Sequence, residues 1–339
     1  MWEGDATKVP TEFDGIARQH LLGINEIYGT TTGLTAEQLY DKYFDDPAVI
    51  NANGKSLREG FVQEAAHAVV NDRYGEVTTL ITNPTVLKTF NDRFYAKQRI
   101  LLGTGANSGL VAGQNSNKIV SQFGDVSLQS DVFFDRREAI AYNRAATSAK
   151  APAVPTTGSI AAASADTKNK FGTAHDGSYW YVVTAKNQYG ESAPLLISST
   201  VQAVAATESL DLAFADGGGA YPATSYVVYR TDITATAYTT SKFYPIFEVS
   251  VAEFQAGFDG AAAYHVRDRN RFIAGCHSAI MLDPTAMIWE YIQLMPTSKV
   301  EFALTTLAKE FAVINYGSPV LYQPGKIARI VNIGNDITD

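Results

Sequence analysis

A chain of 339 residues with 27 Lys and Arg against 35 Asp and Glu carries a net charge of −8 with histidine neutral, and its 46% hydrophobic and 18% charged residues are those of an ordinary globular protein rather than a disordered one. That length suits two domains at roughly 100 to 200 residues each, no apolar run reaches the roughly 20 residues that cross a bilayer, and the acidic balance argues against a dedicated nucleic-acid-binding protein. One cysteine, Cys276, excludes an internal disulfide framework and fits folding in a reducing cytoplasm, while Met1-Trp2-Glu3-Gly4-Asp5 shows neither the basic nor the apolar region of a signal peptide, so a soluble, unexported chain is expected.

Residues 1–34 are rich in Gly, Thr and polar side chains, with one short helix expected around 15–24. Thr35-Ala36-Glu37-Gln38 is a capping box, and Leu39, Tyr40, Tyr43 and Phe44 follow at helical spacing up to Pro47. A second box, Ser56-Leu57-Arg58-Glu59, opens the longest helical pattern, with Leu57, Phe61, Ala65 and Val69 on one stripe that ends near Gly75. Residues 77–81 suit a buried strand. Asn83-Pro84 then starts another helix, with Leu87, Phe90 and Phe94 facing one way.

Gly103-Thr104-Gly105-Ala106-Asn107-Ser108-Gly109 follows an apolar run, as phosphate-cradling loops do, but its third glycine comes one place late and no amphipathic helix follows. A flexible loop to Asn117 is the better reading. Residues 121–134 alternate as a strand that leads to a domain border.

That border is marked by Arg136, Arg137 and Arg144, followed by an Ala-, Thr- and Pro-rich linker over 145–158. Beyond it lies an island of short strands. Tyr179, Tyr181, Val183 and Ala185 alternate with Trp180, Val182 and Thr184, so both faces of this strand carry apolar groups and both should be covered. Residues 187–192 supply a turn with Gly190 free to take a positive φ, and 200–204, 210–214, 225–230 and 243–249 read as further strands around the Asp216-Gly217-Gly218-Gly219 turn. This pattern predicts an immunoglobulin-like sandwich, inserted as 145–271 into an α+β host made of 1–144 and 272–339. The closing run Arg267-Asp268-Arg269-Asn270-Arg271 reads as a solvated turn. Residues 151–271 are expected to fold alone and to project from the outside of any assembly, since their acidic excess and polar turns favour water over packaged DNA.

After Asp283-Pro284, a helix start and the alternating strand Ile288, Glu290, Ile292 and Leu294 compete, and periodicity leaves both open. Strands at 309–316, 320–322 and 327–333, with a Pro324-Gly325 turn, would pack against the helix that begins near Ser56.

Chemistry is not signalled. His20, His67, His175, His265 and His277 never stand at metal-ligand spacing, no nucleophile elbow is present, and the neighbours Cys276 and His277 would point to opposite faces of a strand. No catalytic, cofactor-binding or metal-binding residue is assigned, and the chain is not expected to be an enzyme. Its 18 Tyr and 17 Phe offer surface to partners.

Trp2-Glu3-Gly4-Asp5 and Phe13-Asp14-Gly15, an insert carrying Tyr226-Val227-Val228-Tyr229-Arg230-Thr231, the return through Asp268-Arg269-Asn270 and the strands of 309–333 together resemble, in order, the major capsid proteins of tailed bacteriophages, which have the Hong Kong 97 phage-type fold. Each motif is short; their order over most of the chain carries the likeness. The resemblance implies a peripheral and an axial domain, and self-assembly into the hexamers and pentamers of an icosahedral virion shell around double-stranded DNA. It also implies portal, scaffold or decoration proteins as partners, and no membrane. In that family an N-terminal arm, an extended loop and usually a long spine helix precede the part that resembles residues 1–15; the chain is then either a processed or truncated form, in which case clasping by arm and loop would be lost, or the match is misaligned. Contact with the genome should be non-specific, through a patch including Arg136, Arg137 and Arg144. The competing expectation is an adhesion or glycan-binding protein that uses the inserted sandwich.

Overall fold

The computed structural model describes residues 2–10, 12–27, 29, 34–95, 118–135, 137–161, 163–233, 237–257, 264–283, 285, 287–301 and 311–334. Four helices come first: α1 (Ile16–Ile27), α2 (Ala36–Phe44), α3 (Glu59–His67) and α4 (Pro84–Tyr95). Thr35 and Gln38 cap α2 reciprocally, each side chain accepting from the other's backbone N–H. Asn83 starts α4, its side chain accepting from the Thr85 N–H at 2.9 Å.

The box at Ser56 is not used. Arg58 is the N-cap of α3 without a side-chain cap, and Ser56 is instead buried, with Arg93 of α4 donating to its hydroxyl at 3.5 Å. Packing against α4 thus takes the hydroxyl that would have capped α3. The helix is also shorter than its pattern, since it passes into a five-residue π turn, Ala68–Asp72, and closes where the Gly75 N–H meets the Val69 carbonyl at 3.0 Å. The Phe94 side chain and the glycine-rich segment from Gly103 to Asn117 lie outside the described residues.

The strands begin with β1 (Val49–Asn51), β2 (Thr79–Thr82), β3 (Lys118–Ser121) and β4 (Gly124–Ser130). A middle set follows: β5 (Ile140–Ala141), β6 (Thr156–Ile160), β7 (Ser164–Ala165), β8 (Gly177–Tyr179), β9 (Tyr181–Asn187), β10 (Gly190–Glu191), β11 (Leu195–Leu196), β12 (Gln202–Val204), β13 (Glu208–Ala215), β14 (Ser225–Thr231), β15 (Lys242–Ser250) and β16 (His265–Asp268). The chain closes with β17 (His277–Leu282), β18 (Trp289–Glu301), β19 (Phe311–Leu321) and β20 (Ala328–Ile333).

One six-stranded sheet, ordered β1-β20-β17-β2-β4-β3, unites both ends of the chain. Leu21, Tyr43, Val62, Ala65 and Phe90 from the four helices cover one face, together with Leu80, Ala279 and Ile330 of the sheet itself. The other face is closed by Trp2, Ile16, Phe134 and Ile288 against Ile280 and Leu282. Strand β17 therefore alternates between two cores, which is why it carries apolar residues at successive positions. Residues 121–134 are not a single strand. The chain turns at Gly124, whose φ of 133° suits glycine, pairs back on β3, and leaves the sheet after Ser130, with Val132 and Phe133 exposed and Phe134 buried.

The middle set makes two facing sheets. Strands β10-β9-β14-β15-β5 form one and β16-β13-β6 the core of the other, and between them lie Tyr181, Val183, Tyr226 and Val228 of the first against Leu210, Leu212, Phe214 and Val266 of the second. On the far side of β9, Val182 joins Trp180, Val227, Tyr229 and Phe243, so both faces of this strand are covered, as its alternation requires. It is interrupted at Trp180, whose backbone bonds to Thr231 from both N–H and carbonyl, separating β8 from β9.

The insert starts earlier than its composition suggests. Ile140 pairs with Phe243 and is buried beside Trp180, so residues before 145 belong to the insert sheet. Nor is 145–158 a free linker: Thr147 and Glu191 exchange backbone and side-chain bonds at 2.7 and 2.9 Å, and β6 begins at Thr156. A helix that composition had hidden, α5 (Val251–Ala256), is capped by Ser250 and Glu253 and stacks Phe254 on Phe214 at 4.2 Å. The structure as a whole is α+β, mostly sheet, and among the described residues no helix is long and apolar enough to cross a membrane.

Candidate functional site

Three features stand out on this scaffold. The first is the ribbon of β18 and β19, strands of 13 and 11 residues that pair only with each other among the described residues. The strand reading of residues 288–294 therefore prevails over the helix. The root of the ribbon is fixed to α1: the Gln19 amide donates to the Pro319 carbonyl at 2.7 Å and accepts from the Leu321 N–H at 2.8 Å, while Trp289 and Leu321 lean on the core beside Trp2. Further out, Leu294 is 89% exposed, Val313 63% and Phe311 56%, with Lys299 lying 4.6 Å above the Phe311 ring. A two-stranded ribbon is at best marginally stable by itself in water, so a row of bare apolar groups on it is a surface that gains by being covered.

The second feature is the seam between insert and host, built from the run that the sequence suggested was a solvated turn. It is buried. Asp268, Arg269, Asn270 and Arg271 are all buried, and the two arginines reach across to α2. Glu37, Asp41 and Asp45 follow one another at i, i+4 and i+8, hence on one side of that helix. Arg269 meets Glu37 and, at 3.1 Å, Asp41; Arg271 meets Asp41 and, at 3.0 Å, Glu37. Asp45 takes Lys170 at 3.0 Å and Lys168 at 3.5 Å. Arg269 also binds Asp166 of the insert. Burial pushes the Glu37 carboxyl up despite Arg271 and Arg269 beside it, whereas at Asp166 burial is outweighed by Arg269 and the carboxyl is held low. The partners of these carboxylates lie some 120 to 230 positions away, beyond the reach of any local sequence pattern.

A cleft of about 960 Å³ opens on another side of this junction, with Asp5, Arg18 and Tyr40 of the host on one wall and Lys186, Tyr229 and Glu248 of the insert on the other. Its charges are largely paired within each wall, as in Lys8 with Asp5 at 3.1 Å and Lys186 with Glu248 at 3.3 Å.

Of the arginines expected at the border, the two described ones are each held by a carboxylate. Arg137 is held by Asp135 at 2.6 Å and lies over Phe272, and Arg144 binds Glu191 at 2.9 Å; Arg136 lies outside the described residues. Among the described residues no three His, Cys, Asp or Glu side chains converge to hold a metal. Burial pushes the Cys276 thiol up to about 12, so it is protonated at neutral pH, and His277 next to it lies 3.4 Å from the Asp135 carbonyl. Known protein-family models and curated protein sequences were compared with the chain, and none matches.

Proposed function

We propose that this chain is a structural shell subunit, a major capsid protein of the Hong Kong 97 phage type that assembles with copies of itself into hexamers and pentamers around double-stranded DNA. The observation that supports this reading is the exposed β18–β19 ribbon, a long apolar arm anchored at one end to the body and uncovered at the other. Shells need such arms, because each subunit must offer its neighbours an interface rich in apolar and aromatic groups. Leu294, Val313 and Phe311 are that offer, with copies of the same chain as the partners. In this reading the host sheet forms the floor of the shell, the insert faces outward, and contact with the genome is non-specific, so that binding falls with salt and shows no preference among duplexes.

Electron microscopy of the purified chain, concentrated stepwise, is the test. Rings, sheets or closed shells are the expected outcome, and they should disappear in a Leu294→Glu/Val313→Glu variant that keeps its melting transition. A parent chain that remains monomeric at every concentration overturns the reading.

A further inference from the structure

The insert and the host are joined in a way that differs from how either is held together. Among the described residues no insert strand enters the host sheet, and no host helix or strand lies broadly against an element of the insert. Apolar contact across the junction centres on Tyr40, which packs against both cores, and Phe272, which meets Tyr40 and Phe44 edge to face at 6.1 and 5.3 Å. Ala36 and Ala274 also touch the insert core, and beside these small apolar contacts stand polar ones: the carboxylates of Glu37, Asp41 and Asp45 against Arg269, Arg271, Lys170 and Lys168, the Asn332 amide donating to the Arg271 carbonyl at 2.9 Å, and a contact of His175 Nε2 with Asn53 Oδ1 at 3.1 Å. The chain crosses this junction twice. Left-handed backbone marks both crossings, at Asp135 (φ 47°) on the way in, and at Asn270 (φ 54°) and Gly275 (φ 75°) on the way back.

From this we infer that the carboxylate stripe of α2 and its four cations form a releasable latch that fixes the orientation of the insert, and that its release lets the insert turn about the two crossings and changes the width of the 960 Å³ cleft. The two ends of the latch differ. Glu37 and Asp41 hold Arg269 and Arg271 in a buried pocket, where losing both carboxylates leaves Arg271 without an acidic partner and out of water, and leaves Arg269 with Asp166 alone. Asp45, Lys168 and Lys170 are half-exposed, so salt or a charged partner can compete for them. A polar junction of this kind leaves relative motion as the default once the charges are gone, because no broad apolar interface remains to resist it. The inference concerns a single subunit and stands whether or not the chain builds shells.

The test is a distance measured between spin labels at Val120→Cys on the host sheet and Tyr189→Cys on the insert, both exposed positions, in labelled chain diluted with unlabelled chain. Cys276 is buried and protonated and stays unlabelled. The parent is expected to give one narrow distribution. Glu37→Gln/Asp41→Asn is expected to shift it or to broaden it about twofold while both cores keep their secondary structure. Should that chain fail to fold, Asp45→Ala/Lys168→Ala/Lys170→Ala removes the exposed end without stranding a buried charge, and the same change, smaller in extent, is expected. A folded variant whose distribution matches the parent's overturns the latch, as does a parent whose distribution is already broad.

Discussion

Arg230 Nη1 lies 2.7 Å from Asp268 Oδ2 inside the insert, with 1% and 2% of the two side chains exposed. The pair is fully surrounded: the Tyr181 hydroxyl donates to the same carboxylate oxygen at 2.9 Å, Arg230 Nη2 donates to Asn270 Oδ1 at 2.6 Å, and the guanidinium stands 4.7 Å above the Tyr179 ring. Taking two charges out of water costs much of what their attraction returns, so breaking the pair is worse than replacing it. Asp268→Asn is expected to lower stability by about 3 to 5 kcal/mol, and Arg230→Met/Asp268→Leu by clearly less than the sum of the two single changes. Urea unfolding of the parent, Asp268→Asn, Arg230→Met, Asp268→Leu and the double variant checks this. Additive losses would show that the two charges do not depend on each other.

Acid should unfold the host through His20. Its Nε2 lies 3.0 Å from the Ile327 carbonyl, which can only accept, so Nε2 carries the proton and Nδ1 accepts from the Tyr43 hydroxyl at 2.9 Å. Burial, reinforced by Arg329, pulls this imidazole down from 6.5 to about 3. The unfolded chain therefore binds the proton more tightly than the folded one. Stability from this residue is complete above about pH 6.5 and falls by roughly 1.4 kcal/mol per unit as the pH drops toward 3, or about 2 kcal/mol at pH 5. His20→Gln, which can still donate to Ile327, should flatten the decline of the urea midpoint between pH 6.5 and 4. An unchanged slope would assign the acid sensitivity to other groups.

The boundary of the insert can be measured. A segment of residues 138–272 contains β5 and should melt cooperatively, whereas 151–271 lacks Ile140, which is buried against Trp180 and Phe243, and also lacks Thr147. Removing one such buried side chain costs about 1.5 to 3 kcal/mol, so the shorter segment should melt well below the longer one. Equal thermal transitions would mean that β5 is an ornament of the sheet.

Charge on the ribbon should act on association and leave the fold alone. Leu294 and Val313 lie far from either core, and glutamate at such exposed sites changes stability by no more than about 0.5 kcal/mol. Sedimentation velocity of Leu294→Glu/Val313→Glu is expected to show loss of large species at an unchanged melting temperature. If the parent's large species persist in the variant, the ribbon is not the contact.

Several elements were legible because their causes are local. Thr35 and Gln38 announce α2 within four residues, and Asn83-Pro84 announces α4. The two-residue alternation around Tyr181 carries a strand buried on both faces. A capping box also marks α5 in Ser250-Val251-Ala252-Glu253, set within a composition typical of strands. Ser56-Leu57-Arg58-Glu59 has the same form and is not used, since capping competes with tertiary packing and there the buried contact with Arg93 of α4 prevails.

By itself, then, the sequence determined the α+β class and several of its helices and strands, since each follows from periodicity and turn chemistry over a few residues. Only the tertiary structure decided the fate of Arg267-Asp268-Arg269-Asn270-Arg271. Five polar residues in a row read as a surface turn, and the last four are buried because Glu37 and Asp41 come from α2, and Arg230 from β14, to neutralise their charges. Whether a charge can leave water depends on a partner within a few ångströms in space, and no local pattern encodes partners that lie 38 to 234 positions away.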